Sequence, residues 1–428
     1  MITTRRVVLV LLGLSLLALT VTGSPIYSRL SYLWGFLLVG SWVWSTLALR
    51  GIQVQRDPPP QRAQVGQVLE DRFVIRNKSR LPRLWLEVRD QSNLPGSRGS
   101  RVLTLIKGWQ RRSYLVNTHL VKRGVFSLGP TVLTSGDPFG LFTVSRTLPS
   151  SGSLLVYPMM VDVRAFPSPP GVLTGGEALR RRTHQITPNA SGVREYAPGD
   201  SLNRIHWLST ARRNRLIVKE FELDPLAEIW IFVDAARAVQ AELPYTSPDP
   251  AMDVSWRFLT TKVTLPPSTE EYAVSIAASL GRHFLRRGRA VGLVSCGQSQ
   301  VPEVLPPDRG GRQLGKILEA MALLRAEGEI SISALVVAQA RHLPRGSTVI
   351  LITPSVEGSV AAAVDQLLRL GLRPVVVLLD AASFGGAPGT NDLMTTIAGM
   401  GVFVRRVENG IDLGTALSFE SRVVGVGV

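Results

Sequence analysis

Two apolar runs at the N-terminus constrain the fold of this chain more than any other feature. The first run extends from Val7 to Thr22 and the second from Ile26 to Leu49, with a break at Gly23-Ser24-Pro25 between them. At about 1.5 Å per helical residue, each run is long enough to cross the hydrocarbon core of a bilayer. The alternative for the first run is a cleaved signal peptide, but Thr20-Val21-Thr22-Gly23 makes a poor small-residue cleavage site. We therefore predict two transmembrane helices in residues 1–50.

Positive charge flanks this helical hairpin on both sides. Arg5 and Arg6 precede the first run, and Arg50 and Arg56 follow the second, whereas we place only Arg29 in the connecting turn. Since positively charged flanks stay on the cytoplasmic side, both ends of the hairpin should face the cytoplasm. The pattern predicts a two-span protein of the inner or plasma membrane with cytoplasmic soluble domains.

The net charge of +16 is concentrated near the predicted membrane spans. Residues 1–225 contain 30 basic and 13 acidic side chains, and residues 226–428 contain 18 and 19, so the excess is +17 in the first part and −1 in the second. A basic surface next to a membrane is attracted to anionic lipid head groups. No nucleic-acid-binding module is recognisable, so we expect no nucleic acid as a partner. The single cysteine, Cys296, excludes an internal disulfide.

Residues 51–158 have the pattern of a β-sandwich-like domain. Short alternating runs recur about every ten residues with turn residues between them, as at 73–75, 84–88 and 102–106. We interpret Asp137-Pro138-Phe139-Gly140 as a turn between two strands in which Phe139 is buried. Residues 159–191, rich in proline and glycine and containing Arg180-Arg181-Arg182, are predicted to be a linker.

Residues 226–428 have an α/β pattern. Continuous apolar runs at 228–234, 290–295, 349–352 and 375–379 predict buried strands, and residues 270–287 and 360–370 have helical spacing. Strands that are apolar on every side predict a parallel-type sheet covered by helices on both faces. Such sheets bind ligands at the carboxyl ends of their strands.

The first strand of this domain resembles that of a von Willebrand factor A-like domain, whose metal site uses D-x-S-x-S. Here Asp234 is followed by Ala236 and Ala238 at the two serine positions, and Pro354 stands where a second aspartate is expected. A hard cation needs several oxygen ligands, so we interpret Asp234 as a degenerate site and expect no metal and no cofactor. Arg237 is expected to neutralise Asp234 instead. The insertion at 240–268 is expected to cover this strand end.

Residues 192–225 are the densest run of charge, turn residues and aromatics in the chain. They read R-E-Y-x-P-G-D, then R-I-x-W, then A-R and V-x-E-F-E, with Leu208 where a basic residue is more usual. By these residues the chain resembles the bacterial domain of unknown function 58 family. The candidate interaction residues are Arg194, Glu195, Tyr196, Pro198, Gly199, Asp200, Arg204, Trp207, Arg212, Arg213, Glu220 and Glu222.

The segment at 192–222 is interpreted either as a brace between domains or as a docking surface. Trp207 and Phe221 are expected to be buried, because they are large apolar groups in a charged segment. Exposed ion pairs are weak, so the acids of this segment are not expected to hold all of its arginines. At least one arginine is therefore expected to face a partner.

The resemblance implies a partner for the chain, since members of this family are associated with MoxR-type AAA+ ATPases in complex assembly or envelope functions. We predict a membrane-anchored, non-enzymatic interaction or scaffold protein. Two alternatives stay open: an envelope hydrolase or transferase that uses the 192–222 segment, and a basic lipid- or nucleic-acid-binding module.

Catalytic constellations are weak in this sequence. Cys296 ends an apolar strand and His283 lies on an Ala- and Leu-rich helix, so burial explains both better than a thiol dyad does. Ser201 and His206 are five residues apart in one segment, where capping is a simpler role than a triad. No G-x-x-x-x-G-K-[ST] phosphate loop occurs in the sequence.

Overall fold

The computed structural model describes residues 4–58, 60–97, 100–149, 152–167, 190–196, 205–221, 228–245, 264–298 and 301–418. It begins with two helices, α1 (Thr4–Thr22) and α2 (Pro25–Ala48), whose Ser15 and Ser31 hydroxyls lie 3.1 Å apart. Both helices are long and apolar enough to cross a membrane. Arg29, expected in the connecting turn, lies inside α2 instead, because proline favours the first helical position and the helix already begins at Pro25.

The β domain follows, with ten strands in its described residues. They are β1 (Ile52–Arg56), β2 (Arg62–Gln64), β3 (Val68–Asn77), β4 (Arg83–Asp90), β5 (Ser100–Ile106), β6 (Arg111–His119), β7 (Gly124–Leu128), β8 (Thr131–Gly136), β9 (Thr143–Leu148) and β10 (Gly152–Tyr157). The strands form sheets ordered β1-β3-β6, β2-β10-β7 and β5-β4-β8-β9. Phe73 and Ile75 of β3 pack with Leu86 of β4 and Leu133 of β8, so the first and third sheets share a core. The predicted β-sandwich-like domain is thereby confirmed.

The turn between β8 and β9 is confirmed at 137–140, but its buried residue is not the predicted one. Phe139 is 60% exposed, whereas Asp137 is 1% exposed. The Asp137 carboxylate accepts the backbone N–H groups of Phe139 at 2.9 Å and Phe142 at 2.6 Å. Asp137 is buried because these bonds satisfy its charge, and the tight turn that they hold leaves Phe139 at the tip.

Two strands and a helix come next in the chain, in and around residues 192–222, which are called the family segment below. They are β11 (Ala190–Glu195), α3 (Trp207–Arg213) and β12 (Ile217–Phe221), and the two strands pair antiparallel.

The α/β domain contains a six-stranded sheet. Its strands are β13 (Ile229–Val233), β14 (Val291–Ser295), β15 (Glu303–Asp308), β16 (Thr348–Thr353), β17 (Arg373–Leu379) and β18 (Phe403–Val407). Its helices are α4 (Thr269–Arg286), α5 (Gly311–Leu323), α6 (Ile332–Gln339), α7 (Gly358–Arg369), α8 (Thr390–Gly399) and α9 (Leu413–Leu417). The sheet order is β15-β14-β13-β16-β17-β18, and β15 alone among these strands pairs antiparallel. Pro306 and Pro307 in β15 suit an edge strand, since proline cannot donate to a ladder.

Helices cover both faces of this sheet, as the continuous apolar strands predict. Ile229, Ile231 and Val233 of β13 pack in a core with α4 and α5, whereas Trp230 and Phe232 pack on the other face with α6 and α7. Alternate side chains of one strand therefore serve two cores. The α/β fold class with a mostly parallel sheet is confirmed.

Residues 159–167, the first part of the predicted linker, contact the α/β domain. Phe166 is buried against Phe284 of α4, with ring centroids 6.0 Å apart. The carbonyl of Val163 lies 2.7 Å from His283 Nδ1, and the backbone N–H of Val161 donates to Ser279 Oγ at 3.0 Å. This part of the chain is therefore fixed along α4. Arg180-Arg181-Arg182 lies outside the described residues.

Candidate functional site

The helix of the family segment is held against its own hairpin. The backbone N–H of His206 donates to the carbonyl of Ile217 at 2.7 Å, and that of Ile217 donates to Thr210 Oγ1 at 3.0 Å. Ile205, Ile217 and Val218 are buried, and Ile205 forms a bridge with Val218. Three buried β-branched residues and two cross-links therefore fix α3 on β12, although α3 has only seven residues.

The N-terminus of α3 is capped by His206. Its Nδ1 accepts the backbone N–H of Ser209 at 3.3 Å and lies 2.7 Å from the Ser209 hydroxyl. This arrangement satisfies one of the backbone donors that every helix start leaves open. The predicted capping role of His206 is confirmed, whereas Asp200 and Ser201 lie outside the described residues.

The prediction that Trp207 is buried is wrong. Trp207 is 67% exposed and its neighbour Leu208 is 61% exposed. The reason is geometric, because α3 meets the hairpin through residues at its start and through Thr210, and no residue of α3 is buried. The side chain of Phe221, the other residue expected in a core, lies outside the described part of the structure.

The remaining predicted interaction residues divide into three groups. Arg194, Glu195 and Tyr196 lie on or directly after β11, where the N–H of Tyr196 donates to the carbonyl of Leu216 at 2.9 Å. Glu220 lies on β12. Pro198, Gly199, Asp200, Arg204 and Glu222 lie outside the described residues.

The arginines of α3 are available at the surface. Arg212 and Arg213 are exposed in the last turn of the helix, and neither forms an ion pair or side-chain hydrogen bond with the described residues. Glu195 pairs with Arg215, which follows the helix, so this acid is not used by α3 itself. The outer surface of α3 thus combines two large apolar side chains with two guanidinium groups.

A second group of polar side chains lies at the carboxyl ends of β13 and β16. The Thr353 hydroxyl donates to Asp234 Oδ2 at 2.5 Å, and the N–H of Ala236 donates to Asp234 Oδ1 at 3.1 Å. Asp234 is 3% exposed, and its burial raises the pKa of the carboxyl from 3.8 to about 6. In the sheet, β14 lies on one side of β13 and β16 lies on the other, so the strand order reverses direction beside β13. Asp234 therefore lies at the topological switch point, which is where such sheets bind ligands.

Arg237 does not neutralise Asp234, contrary to the prediction. It is exposed on the loop after β13, and it forms no ion pair with Asp234 in the described structure. Gln240, which begins the predicted covering insertion, donates from Nε2 to the backbone carbonyl of Asp234 at 3.0 Å and accepts the Thr269 hydroxyl at 2.7 Å. Among the described residues, the donors to the Asp234 carboxylate are the neutral Thr353 hydroxyl and Ala236 N–H, and no cation pairs with it.

A further acid at this sheet edge was missed by the sequence analysis. Asp380 directly follows β17 and is buried, and its carboxylate accepts the Thr390 hydroxyl at 2.9 Å and pairs with Arg406 of β18 at 2.7 Å. The hydrogen bond to Asp380 raises the pKa of Arg406. The apolar run before Asp380 is the signal that could have found it, since an acid at a strand end was the argument for Asp234.

The oxygens around Asp234 are poorly disposed for a hard cation. Thr353 Oγ1 donates its proton to Asp234 and also accepts the N–H of Ser355 at 2.9 Å, so this oxygen is already engaged in two hydrogen bonds. The charge of Glu357 contributes to raising the pKa of Asp234, but Glu357 itself is exposed. Among the described residues, no three His, Cys, Asp or Glu side chains cluster as metal ligands do.

Cys296 and His283 occupy the structural positions expected of them. Cys296 is 2% exposed at the end of β14, and burial raises the pKa of its thiol. His283 lies on α4 against the carbonyl of Val163, and burial lowers the pKa of its imidazole. Each side chain has a packing role in the α/β domain.

The chain is similar to proteins that carry the same segment. The family model described as "Protein of unknown function DUF58" matches residues 192–242. The "Uncharacterized protein YeaD" of Bacillus subtilis (strain 168) is 23% identical over 298 residues, which is 67% of this chain. The match spans 65% of the length of that relative.

Two solved structures show weaker similarity to this chain. The conserved hypothetical protein BatB from Bacteroides thetaiotaomicron is 15% identical, with 44% of this chain and 94% of that one covered and a TM-score of 0.29. The SpRpn10 VWA domain is 12% identical, with 45% and 93% covered and a TM-score of 0.28. Scores of this size carry no argument about fold, which is established here by the sheet order. The matched residues 192–242 include all of Gly192 to Glu222, so the chain is similar to the DUF58 family over this segment.

Proposed function

We propose that this protein is a membrane-anchored, non-enzymatic interaction protein whose helix α3 docks a protein partner. The observation that carries the proposal is the exposure of Trp207 and Leu208 on the same short helix as Arg212 and Arg213. Tryptophan and arginine dominate the binding energy of protein interfaces, because they bring large contact area and directed hydrogen bonds. An exposed set of this kind on a helix fixed to a hairpin favours a docking surface over a brace.

The chemistry of α3 defines the partner surface that fits it. Two guanidinium groups require carboxylates at the rim, and the indole requires an apolar pocket near the centre. The family resemblance supports a MoxR-type AAA+ ATPase as the partner, in complex assembly or in functions of the envelope. We propose that this ATPase presents an acidic, partly apolar groove to α3.

The proposed location is the inner or plasma membrane, with the soluble domains in the cytoplasm. The two apolar helices support anchoring by their length and composition. Arg5 at the start of α1 lies 5.0 Å from the ring centroid of Phe142, which follows the β8–β9 turn, so the start of α1 meets the β domain. The end of α2 also meets it, because Arg83 of β4 donates to the carbonyl of Arg50 at 2.6 Å. A cytoplasmic ATPase would then have access to α3.

Co-purification from native membranes tests the docking proposal. Leu208→Ala and Arg213→Ala in the tagged full-length chain should reduce recovery of the ATPase. Both residues are exposed, so the free energy of unfolding should change by less than about 0.5 kcal/mol. The matched controls are Leu323→Ala and Arg341→Ala, which remove exposed side chains of the same types from the α/β domain and should leave recovery unchanged.

Two results would contradict docking through α3. Equal recovery of the ATPase with all four variants would show that α3 is not the contact surface. Unfolding of the Leu208 and Arg213 variants, measured as a fall in melting temperature, would show that the segment is a structural brace.

A further inference from the structure

A basic cleft opens in the β domain beside the end of α2. Its volume is about 620 Å³, and it is lined by residues of β1, β3, β6 and β9 together with Gly51, three residues after α2. Three guanidinium groups line it, those of Arg76, Arg111 and Arg146, and no acidic side chain occurs among its described lining residues. None of the three arginines forms an ion pair or side-chain hydrogen bond with the described residues. The cleft therefore concentrates positive charge without an internal counter-charge.

The arrangement of these arginines costs stability unless an anion lies between them. Arg76 of β3 is directly opposite Arg111 of β6 in the strand register, with Gln53 of β1 on its other side. Like charges in directly opposite positions of an antiparallel pair are destabilising. Arg146 adds a third charge from the neighbouring sheet. A group with several negative oxygens would reverse the sign of this interaction, since guanidinium binds phosphate in a bidentate way.

The cleft lies at the end of the β domain that is joined to α2. The carbonyl of Gly51 accepts the backbone N–H of Lys78, and Arg76 and Arg111 form the last residue pair of β3 and β6 before the loops at this end. In one of these loops the Trp109 side chain is 64% exposed, and the backbone N–H of Trp109 donates to the carbonyl of Ser79 at 3.2 Å. Exposed tryptophan beside basic side chains is typical of a membrane–water interface.

We propose that this cleft binds the phosphate of an anionic phospholipid head group in the leaflet that the end of α2 enters. The inference rests on the membrane anchoring in the proposed function, and it adds a defined lipid site to it. Arg76 and Arg111 hold the phosphate oxygens from one sheet, Arg146 closes the site from the other, and Trp109 lies at the level of the head groups. The bound lipid fixes the β domain against the membrane surface.

The thermal unfolding of the full-length chain in nanodiscs tests this site. The lipid is phosphatidylcholine alone or phosphatidylcholine with increasing fractions of phosphatidylglycerol. A ligand that binds only the folded state raises the melting temperature, so phosphatidylglycerol should do so in a saturable way. Arg76→Gln should increase the phosphatidylglycerol fraction needed for half of this rise about tenfold, because it removes a charge-assisted contact.

In neutral lipid, Arg76→Gln should not destabilise the chain. In phosphatidylcholine alone, Arg76→Gln relieves the repulsion with Arg111, so its melting temperature should equal or exceed that of the unaltered chain. A merely structural role for Arg76 predicts a fall in both lipids and would overturn the proposal. The charge-matched control is the triple variant Arg312→Gln, Arg341→Gln, Arg345→Gln, whose three exposed sites lie in the α/β domain and which should keep the response to phosphatidylglycerol.

Inorganic phosphate added to phosphatidylcholine nanodiscs separates lipid from soluble anion. Stabilisation by inorganic phosphate with no response to phosphatidylglycerol would overturn the lipid assignment. Incorporation of the chain into nanodiscs with equal melting temperatures in both lipids would overturn the site and leave the anchoring intact. Failure of the chain to enter nanodiscs would overturn the anchoring as well.

Discussion

Arg123 of the β domain forms an ion pair with Glu270 at the start of α4, and this contact joins the β domain to the α/β domain. The Arg123 side chain is 0% exposed, and it also pairs with Glu271. Two of its nitrogens donate to backbone carbonyls, Nε to Met321 at 3.1 Å and Nη2 to Leu324 at 3.0 Å. A buried guanidinium is tolerated here because two carboxylates offset its charge and two backbone carbonyls accept hydrogen bonds from it.

Replacing Arg123 by methionine should destabilise the full-length chain by about 3 to 5 kcal/mol. The substitution leaves Glu270 and Glu271 largely buried without their cation, which costs more than the pair contributes. The measurement is the free energy of unfolding in denaturant. The control is Arg62→Met, which breaks the exposed contact between the same two domains at Glu319 and should cost about 1 kcal/mol or less. Equal losses would refute the special role of Arg123.

Asp234→Asn should stabilise the protein at neutral pH. The unfolded carboxyl titrates near 3.8, whereas burial raises the pKa of Asp234 to about 6 in the folded chain. Between these values the folded state binds more protons, so the free energy of unfolding falls as pH rises through this window. The rise in pKa corresponds to about 3 kcal/mol of destabilisation above pH 6. The variant should therefore gain stability at pH 7, and the gain should vanish near pH 4.

Asp380→Asn is the matched control at the same sheet edge. This acid is paired with Arg406, so its neutral replacement should lower the free energy of unfolding at pH 7. At pH 7 we expect the melting temperature to rise for Asp234→Asn and to fall for Asp380→Asn, as measured by thermal unfolding across pH 4 to 8. A loss of stability for both variants at pH 7 would show that Asp234 has a favourable charge partner.

Millimolar Mg²⁺ should not raise the melting temperature of the full-length chain above its value in chelator. The Thr353 hydroxyl is already used by Asp234 and Ser355, and alanines replace both serine ligands at 236 and 238. A cation that bound the folded state would stabilise it in proportion to its occupancy. Saturable stabilisation that disappears in Asp234→Ala would contradict the prediction and would show that Asp234 binds the cation.

Thiol labelling of intact cells should report the proposed topology. A cysteine introduced as Arg345→Cys, in an exposed loop of the α/β domain, should react with a membrane-impermeant maleimide only after lysis. Ser24→Cys, between α1 and α2, should react in intact cells. The unaltered chain is the control, because Cys296 is 2% exposed and should stay unlabelled in the folded protein. Labelling of Arg345→Cys before lysis would contradict the cytoplasmic assignment.

Local pattern was sufficient for the elements that one segment specifies by itself. The two apolar runs are helices α1 and α2, the alternating runs at 73–75 and 84–88 lie in β3 and β4, and the continuous runs at 349–352 and 375–379 lie in β16 and β17. His206 as a cap and Cys296 as a buried residue also follow from nearby sequence. In each case the deciding interaction is hydrogen bonding within a few residues or burial of an entire run.

The errors concern side chains whose surroundings come from distant parts of the chain. Trp207 and Phe139 are apolar and were expected in cores, yet a seven-residue helix and a tight turn leave them at the surface. Hydrophobicity predicts that a side chain prefers burial, but not that a neighbouring element arrives to cover it.

The sequence by itself determined the order of the parts: two membrane-length helices, a β domain, the DUF58 segment and an α/β domain. Only the tertiary structure decided that Arg123 meets Glu270 across 147 positions, that Asp380 meets Arg406, and that Arg76 lies opposite Arg111. The physical reason is that secondary structure follows the periodicity of local side chains, whereas the state of a charge depends on which groups folding brings within a few ångströms. Strand register and domain packing decide which groups lie near each charge.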